Sequence, residues 1–249
     1  MLWTRERVER GVLPYGTVVY AIGDVHGRAD LLKTLVQAIR DDAVDSLVHR
    51  AVAVFMGDYV DRGPESRRVL DILSGDVLPG FEVRCLKGNH DVEMLGFLED
   101  PDRGPGWVRH GGGETLASYG VKLPASLAPC MEWMDTRAAF DRALPAGHRR
   151  FLESLELLAV YGGYIFVHAG LMPGVSLNEQ SEDDLLTIRE PFLNDRKKFP
   201  WIVVHGHTPS RAPIHDTRRI GVDTGAFHTG VLTAVRLEGS AVDFIQVRN

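Results

Sequence analysis

The sequence predicts an α/β fold from two patterns. Short runs rich in Val and Ile recur along the chain and end in Gly with Asp, Asn or His. Continuous apolar runs of this kind are typical of strands that are covered on both faces. Amphipathic helical patterns separate the first runs, which gives β-α-β order. The chain has 249 residues, 44% of them hydrophobic, and is long enough for a sizeable core.

Six predicted strands share the polar ending. In chain order they lie in TVVYAIGDVHG, AVAVFMGDYVDRG, FEVRCLKGNHD, YIFVHAG, WIVVHGHTP and RIGVDTGA. In sheets built from β-α-β units, ligands bind outside the carboxyl ends of the strands. We therefore expect the six polar clusters to meet at one site.

Two helices are predicted between the first strands. Residues 28–43 carry one apolar stripe, and residues 63–77 place Pro64 at a plausible first helical position and end near Gly75. Residues 92–160 differ, since they look helical and loop-like with Gly and Pro punctuation. We interpret this stretch as an insertion that covers the site, within a single catalytic domain over residues 1–249.

Composition narrows the function classes. A net charge of −6 without a basic run argues against binding of duplex nucleic acid. No apolar run approaches the roughly 18 residues that a membrane helix needs, and the first residues lack the apolar region of a secretory signal. We therefore expect a cytoplasmic protein with no membrane partner. Cys85 and Cys130 are too few for a disulfide framework or a thiolate zinc site, so nitrogen and oxygen atoms must hold any metal.

The polar clusters contain residues suited to hold a metal. Asp24 and His26 stand two apart, and alternate residues of an extended segment point the same way, so both could reach one ion. For this pair alone, a hydrogen-bonded turn is the alternative. The later clusters add Asp58, Asn89, His90, His168, His205 and His207. Carboxylate, carboxamide and imidazole together suit Mn, Fe or Zn.

The set GDVHG, GDYVDRG, GNHD, VHAG and GHTP, in this order, carries a specific resemblance. It resembles the phosphoprotein phosphatase branch of the calcineurin-like metallophosphoesterases, particularly the compact bacterial and phage serine/threonine phosphatases that are similar to lambda phosphatase. The resemblance runs from about residue 16 to about residue 235, and it is least informative between Val92 and Tyr164.

The resemblance implies a sandwich of central β-sheets flanked by helices, with a dinuclear site at the carboxyl ends of the strands. That site would hold two divalent metal ions, manganese before iron or zinc. Its metal ligands would be Asp24, His26, Asp58, Asn89, His168 and His207, with Asp58 shared by both ions. His205 lies two residues before His207 and is the alternative ligand, because the two would point the same way along a strand. Pro209 stands where many relatives outside this branch have a further histidine, so water should complete the first metal.

The resemblance also implies catalytic residues. Arg62 and Arg189 would grip the phosphate, to whose oxygens a planar guanidinium donates parallel hydrogen bonds. His90 would protonate the leaving alkoxide and Asp61 would orient it. Two alternatives stay open from the residues themselves. Asp61 and Arg62 could pair as a solvated turn, and Arg189 could close an ordinary helix.

The implied activity is hydrolysis of phosphomonoesters on proteins, at Ser or Thr and also at Tyr, by in-line attack of a hydroxide that the two metals share. The partner would be a phosphorylated protein or peptide, and the protein a monomer. A rival is a symmetrical diadenosine tetraphosphate hydrolase or another nucleotide phosphohydrolase; enzymes of the former kind usually have a small residue in place of Asp61. A second rival, a non-catalytic scaffold, should have lost ligands that this chain keeps.

Other polar residues have weaker interpretations. His49, His148 and His215 lie in polar surroundings and are expected at the surface. The segment after His110 is expected to shape the substrate mouth, and His228 to touch substrate or cap a loop. Asp223 would either orient a metal-bound imidazole or serve as a turn residue.

Overall fold

Two five-stranded sheets form the centre of the computed structural model, which describes residues 9–44, 49–125 and 129–249. The first sheet contains β1 (Thr17–Ile22), β2 (Arg50–Phe55), β3 (Glu82–Cys85), β9 (Val231–Glu238) and β10 (Ala241–Arg248), in the order β10-β9-β1-β2-β3. The second contains β4 (Leu158–Tyr161), β5 (Tyr164–Val167), β6 (Ile202–His205), β7 (Ile214–His215) and β8 (Arg219–Gly221), in the order β4-β5-β6-β8-β7.

The six predicted strands are confirmed as β1, β2, β3, β5, β6 and β8. Within each sheet these three strands are parallel, with Thr17 opposite Arg50 in the first sheet and Tyr164 opposite Ile202 in the second. The prediction did not include the four antiparallel strands at the sheet margins, β4, β7, β9 and β10. The parallel strands therefore end at the same edge of each sheet.

The two sheets pack face to face. Val19, Ala21, Val52 and Val54 of the first sheet belong to one buried cluster with Phe166, Val204 and Ile220 of the second. The intervening residues of β1, such as Tyr20 and Ile22, face Leu32 and Leu35 of the first helix. This alternation follows from the period of two along a strand, and the predicted sandwich is confirmed.

Helices cover the outer faces of both sheets. They are α1 (Ala29–Val44), α2 (Ser66–Leu73), α3 (Asn89–Glu99), α4 (Gly104–Trp107), α5 (Gly113–Ser118), α6 (Cys130–Ala143), α7 (Ala146–Glu153), α8 (Glu182–Thr187), α9 (Glu190–Asn194) and α10 (Ala226–Thr229). The apolar stripe predicted for α1 is buried, since Leu31, Leu32, Leu35, Val36 and Ile39 all lie in the core. Within the described part of the chain, no helix combines the length and the apolar character that crossing a bilayer requires.

The second helix begins later than predicted. Pro64 lies outside it, since Glu65 is the N-cap and Ser66 the first helical residue. The reason is the loop in front of the helix, in which Asp61 and Arg62 both have positive φ angles. The buried hydroxyl of Ser66 accepts a hydrogen bond from the backbone N–H of Asp61 (3.1 Å), so the helix starts where it supports that loop.

The stretch interpreted as an insertion, at about 92–160, is mainly helical, from α3 to α7. The first of these helices begins at Asn89, and residues 158–160 belong to β4. An aromatic cluster joins the helices, because the ring of Phe97 lies 5.1 Å from that of Trp107, 6.2 Å from that of Trp133 and 6.3 Å from that of Phe140. Trp107 is thereby buried within this aromatic cluster.

One histidine interpretation was wrong. His49 and His215 are exposed as expected, but His148 is buried. Its Nδ1 accepts a hydrogen bond from the Tyr119 hydroxyl (2.7 Å), and its Nε2 donates to Asp71 (3.0 Å). The polar neighbours of His148 in sequence lie on the outer face of a short amphipathic helix whose inner face buries the imidazole.

Candidate metal centre

The polar clusters meet, as predicted, at the carboxyl ends of the parallel strands. Two groups of buried side chains there have ligand atoms within 4.8 Å of one another: His26, Asp58 and His90 in one, and Asp58, His168 and His207 in the other. Asp58 belongs to both groups. The structure thus places one carboxylate between two sets of imidazoles.

Asp58 lies between two imidazoles whose orientation the backbone fixes. The Nδ1 atoms of His26 and His168 donate to the carbonyl oxygens of Val60 and Met56, each at 2.8 Å. Each imidazole therefore directs its Nε2 towards Asp58 Oδ2, at 3.4 Å from His26 and 3.5 Å from His168. Such a carbonyl contact selects the tautomer that leaves Nε2 free for a metal.

Backbone strain is concentrated at this site. Among the described residues, the non-glycine residues with positive φ are His26, Asp58, Asp61, Arg62 and His207, at 42° to 71°. Such conformations cost on the order of 1–3 kcal/mol each and persist only where the surroundings impose them. The neighbouring glycines are required by space, because a Cβ on Gly88 would overlap the Asp58 carboxylate and one on Gly206 would overlap Asp24.

The electrostatics of the site fit bound cations. Burial, and next the charge of Asp223, raise the pKa of Asp24 well above its usual value. Burial opposes protonation of His168, but the charge of Asp58 prevails and raises the pKa of His168 to about 10. The Nε2 atom of His207 is buried without a hydrogen-bond partner. A bound divalent cation would neutralise the crowded carboxylates and take the unpaired imidazole nitrogen as a ligand.

The remaining predicted ligands also lie at this site. Asp24 is outside the two groups but adjoins them, since its carboxylate accepts the backbone N–H of His207 at 3.1 Å. The side-chain oxygen of Asn89 lies 3.2 Å from His168 Nε2. All six predicted ligands are therefore brought together; that they bind metal stays a prediction.

His205 is directed away from the site. Its Nδ1 bonds to Gly206 O (3.0 Å), its Nε2 accepts from Arg219 (2.9 Å), and its ring packs against Phe192. The strand ends at His205, and the chain then turns through the left-handed conformation of His207. The assumption that the two histidines point the same way therefore does not hold.

His90 and Asp61 form the predicted pair. His90 Nδ1 lies 2.8 Å from Asp61 Oδ2, and both side chains are buried, with Asp61 0% exposed. Burial raises the pKa of the Asp61 carboxyl group. The solvated turn of Asp61 with Arg62 was the wrong alternative, because Arg62 turns the other way and reaches His26 Nε2 (3.0 Å) and His90 Nε2 (2.8 Å).

Arg189 is exposed and stands between two helices, not at the end of one. α8 ends at Thr187, and Arg189 is the N-cap of α9. It lies near enough to His207 to affect it: burial first, then positive charges that include Arg189, lower the pKa of His207 to about 3. Arg62 and Arg189 thus approach the centre from different elements.

Three residues that support the site were not predicted. The carboxylate of Asp91 accepts the backbone N–H groups of Asp58 (2.9 Å) and Tyr59 (3.1 Å). Trp107 Nε1 and Thr115 Oγ1 donate to the two oxygens of Asp61. Asp91 was within reach of sequence reasoning, since it is the last residue of GNHD, whereas Trp107 and Thr115 lie in the stretch that the resemblance left uninformative.

The weaker interpretations have mixed outcomes. Asp223 accepts the backbone N–H of Gly225 (2.8 Å), as expected of a turn residue. His228 is exposed, and its ring lies beside that of Phe227. Phe227 is half-buried, packs against His26, and has the Arg62 guanidinium over its ring at 5.0 Å. His110 is exposed and lies 2.9 Å from Glu93.

The parallel strands of the two sheets thus end at two histidine–aspartate groups that share Asp58. The family model described as calcineurin-like phosphoesterase matches residues 17–242, and the chain belongs to this family. Members of the family are hydrolases that use divalent metals in a dinuclear site.

Curated relatives include the asymmetrical bis(5'-nucleosyl)-tetraphosphatase PrpE of Bacillus thuringiensis (strain Al Hakam). It is 28% identical to this chain over 227 residues, which covers 86% of the chain and 88% of the relative.

Solved structures with the same fold carry different descriptions. A "putative diadenosine tetraphosphatase" has a TM-score of 0.63 at 21% identity, covering 93% of this chain and 94% of that one. A protein serine/threonine phosphatase from Saccharomyces cerevisiae, with similarity to human phosphatase PP5, has a TM-score of 0.55 at 14% identity, covering 97% and 84%. The cold-active protein-tyrosine phosphatase of Shewanella has a TM-score of 0.54 at 18% identity, covering 95% and 84%. These likenesses establish the fold.

Proposed function

We propose that the protein is a metal-dependent phosphomonoesterase that removes phosphate from phosphoserine or phosphothreonine, and also from phosphotyrosine, in a protein or peptide. The observation that carries this proposal is the buried contact of 2.8 Å between His90 Nδ1 and Asp61 Oδ2. It holds an imidazole at the metal centre with its Nε2 directed into the site.

The pair matters because of the group that leaves. When a phosphoserine ester is cleaved, the departing oxygen is an alkoxide, which is a strong base and leaves far more readily once it is protonated. When a dinucleotide polyphosphate is cleaved, the departing oxygen belongs to a phosphate group, which is a weak base and leaves without being protonated first. A positioned acid at His90 therefore supports the phosphomonoester substrate.

Divalent metals, manganese before iron or zinc, would be held by Asp24, His26, Asp58, Asn89, His168 and His207. When bound, such ions neutralise phosphoryl oxygens and lower the pKa of coordinated water. The chain's own contribution is to fix the ligands, through the carbonyl contacts of His26 and His168.

The arginines would bind the phosphoryl group. Arg62 already places its two terminal nitrogens 3.0 Å and 2.8 Å from the imidazoles of His26 and His90, at the centre of the site. Arg189 is exposed on the side of His207. Two planar guanidinium groups from different elements can donate to separate phosphate oxygens and stabilise the charge that spreads over them.

Hydrolysis of bis(5'-nucleosyl) tetraphosphates is the second candidate. The favouring observation is the 28% identity, over 86% of the chain, to a protein named as such a hydrolase. The site has an aromatic ring beside Arg62, Phe227, on which a base could stack.

The test is phosphate release by the manganese-reconstituted protein from matched phosphoserine, phosphothreonine and phosphotyrosine peptides, with diadenosine tetraphosphate alongside and its nucleotide products separated. We expect a higher kcat/KM for a phosphopeptide than for the dinucleotide. Preference for the dinucleotide would overturn the phosphomonoester assignment in favour of the second candidate. Absence of turnover on every substrate, with both metals bound, would overturn both.

A further inference from the structure

The carboxylate of Asp61 is bound on both oxygens by side chains from the helical stretch between β3 and β4. Oδ2 accepts the indole N–H of Trp107 at 2.9 Å, besides its contact with His90. Oδ1 accepts the hydroxyl of Thr115 at 2.7 Å. Trp107 is 2% exposed and Thr115 0%, so water does not compete for these hydrogen bonds.

The same hydroxyl also holds the backbone beneath the carboxylate. Thr115 Oγ1 accepts the backbone N–H of Asp61 at 2.9 Å. The next backbone N–H, that of Arg62, donates to Gly111 O at 3.1 Å. Asp61 has a φ of 71°, a conformation that L-residues adopt only under constraint. The helical stretch therefore fixes both the backbone and the side chain of Asp61.

The indole ring of Trp107 is itself closely packed. Its ring packs against Phe97 and Phe140, at 5.1 Å and 5.8 Å between centroids. Gly112 lies against the indole, and a Cβ there would overlap the ring. The indole N–H consequently has one fixed direction, towards Asp61.

We propose that Trp107 and Thr115 are positioning residues for proton transfer: they hold the Asp61 carboxylate in the one orientation that aligns His90 with the leaving oxygen. In the step they serve, a hydroxide oxygen bonds to phosphorus, the bond between phosphorus and the leaving oxygen breaks, the leaving oxygen keeps that electron pair, and it takes a proton from His90 Nε2. His90 must then be doubly protonated, with the Arg62 guanidinium, which lies 2.8 Å from that atom in the structure, turned to the phosphoryl group. The inference rests on the proposed phosphomonoesterase function and deepens it.

The physical reason is geometric. A carboxylate that accepts only from His90 can rotate about its Cβ–Cγ bond and carry the imidazole with it. Hydrogen bonds to an ionised acceptor are roughly twice as strong as neutral ones, and donors on both oxygens stop the rotation. General acid catalysis contributes about 10²–10⁴-fold to a rate, so a partial loss of alignment should cost part of that factor.

The first test needs no activity. The one-bond ¹H–¹⁵N spectrum resolves the indole N–H groups, and Trp107→Phe assigns the relevant one. We expect Asp61→Ala to move the Trp107 signal upfield and to speed its exchange with solvent, while the Trp133 signal stays in place. If Asp61→Ala does not fold, Asp61→Asn provides the same comparison. An unmoved Trp107 signal would overturn the positioning role, because the indole N–H would then not respond to the carboxylate that it is proposed to hold.

The second test separates orientation from stability with a series of aryl phosphates. Because protonation matters most for poor leaving groups, Trp107→Phe should lower kcat for phenyl phosphate about tenfold and kcat for 4-nitrophenyl phosphate less than about twofold. KM and bound metal should not change. Thr115→Val should act similarly, and Thr115→Ser, which keeps the hydroxyl, should restore the rate.

Trp133→Phe is the matched control. Trp133 is also buried and packs on Phe97, but it is not among the donors to Asp61. We expect Trp133→Phe to leave the dependence on leaving group unchanged. Equal losses across the series in Trp107→Phe, or equal behaviour of the Trp107 and Trp133 variants, would overturn the positioning role. If the wild-type protein, with metal bound, hydrolyses no phosphomonoester, the proposed function fails and the positioning role with it.

Discussion

The carboxylate of Asp91 accepts the backbone N–H of Asp58 at 2.9 Å and thereby fixes the residue that both metal-ligand groups share. The same carboxylate accepts the N–H groups of Gly88 (3.0 Å) and Tyr59 (3.1 Å). Asp58 needs this support because its φ of 53° is strained. Asp91, which is not among the predicted metal ligands, thus determines where the shared ligand Asp58 lies.

Replacing Asp91 should therefore weaken metal binding. In Asp91→Asn the amide turns an N–H towards one of the backbone N–H groups, so the loop that carries Asp58 loses part of its support. We expect manganese affinity, measured by calorimetric titration, to fall about 10–100-fold. Asp41→Asn, on the exposed face of α1, is the control and should bind as the wild type does. Unchanged affinity in Asp91→Asn would contradict the supporting role.

The two neighbouring histidines should behave differently. His207→Ala should lose one bound metal ion, because His207 contributes a free imidazole nitrogen beside Asp58. His205→Ala should keep both ions and lose stability, because it breaks the contacts to Arg219 and Phe192. Metal content per chain, measured by atomic emission, and thermal unfolding distinguish the two. Loss of metal in His205→Ala but not in His207→Ala would refute this placement.

Two glycine-to-alanine variants, Gly206 at the site and Gly147 in α7, test whether the backbone at the site is crowded. In Gly206→Ala the new methyl group would overlap the Asp24 carboxylate, and we expect a loss of about 1–3 kcal/mol in the free energy of unfolding together with weaker metal binding. In Gly147→Ala, within α7, nothing lies near the new methyl group, so the variant should be neutral or gain up to about 1 kcal/mol. Denaturant unfolding measures both, and equal effects would argue against crowding at Gly206.

His148 should make stability depend on pH. Burial lowers its pKa in the folded protein, although Asp71 opposes this. As pH falls below about 6.5, the unfolded chain takes up the proton first, so its free energy drops relative to that of the folded state. The folded state should thus lose stability as pH falls from 7 towards 5. The difference in unfolding free energy between wild type and His148→Gln should shrink over this range, and a difference that grows would contradict the sign.

The sequence pattern identifies the polar residues that follow the ends of the parallel strands. Asp24, Asp58 and His168 directly follow or closely follow apolar runs, and parallel strands bring such positions together. The strands β9 and β10 were not predicted although they pair over eight residues each, because neither ends in the cluster of Gly with Asp, Asn or His that marks the six predicted strands.

Other features depend on contacts that no local pattern encodes. Trp107 and Thr115 are 46 and 54 residues from the Asp61 they bind. The direction of His207 follows from a positive φ that the spacing of residues does not reveal. The burial of His148 depends on which face of a short helix meets the core.

We propose that Asp58 is the shared ligand of a metal centre that hydrolyses phosphomonoesters. The most direct measurement is phosphate release from a phosphoserine peptide by wild type and Asp58→Asn, each stripped with chelator and then supplied with manganese. We expect manganese to restore release by the wild type, and Asp58→Asn to stay inactive with reduced metal content. Release that survives chelation, or a fully active Asp58→Asn, would contradict it.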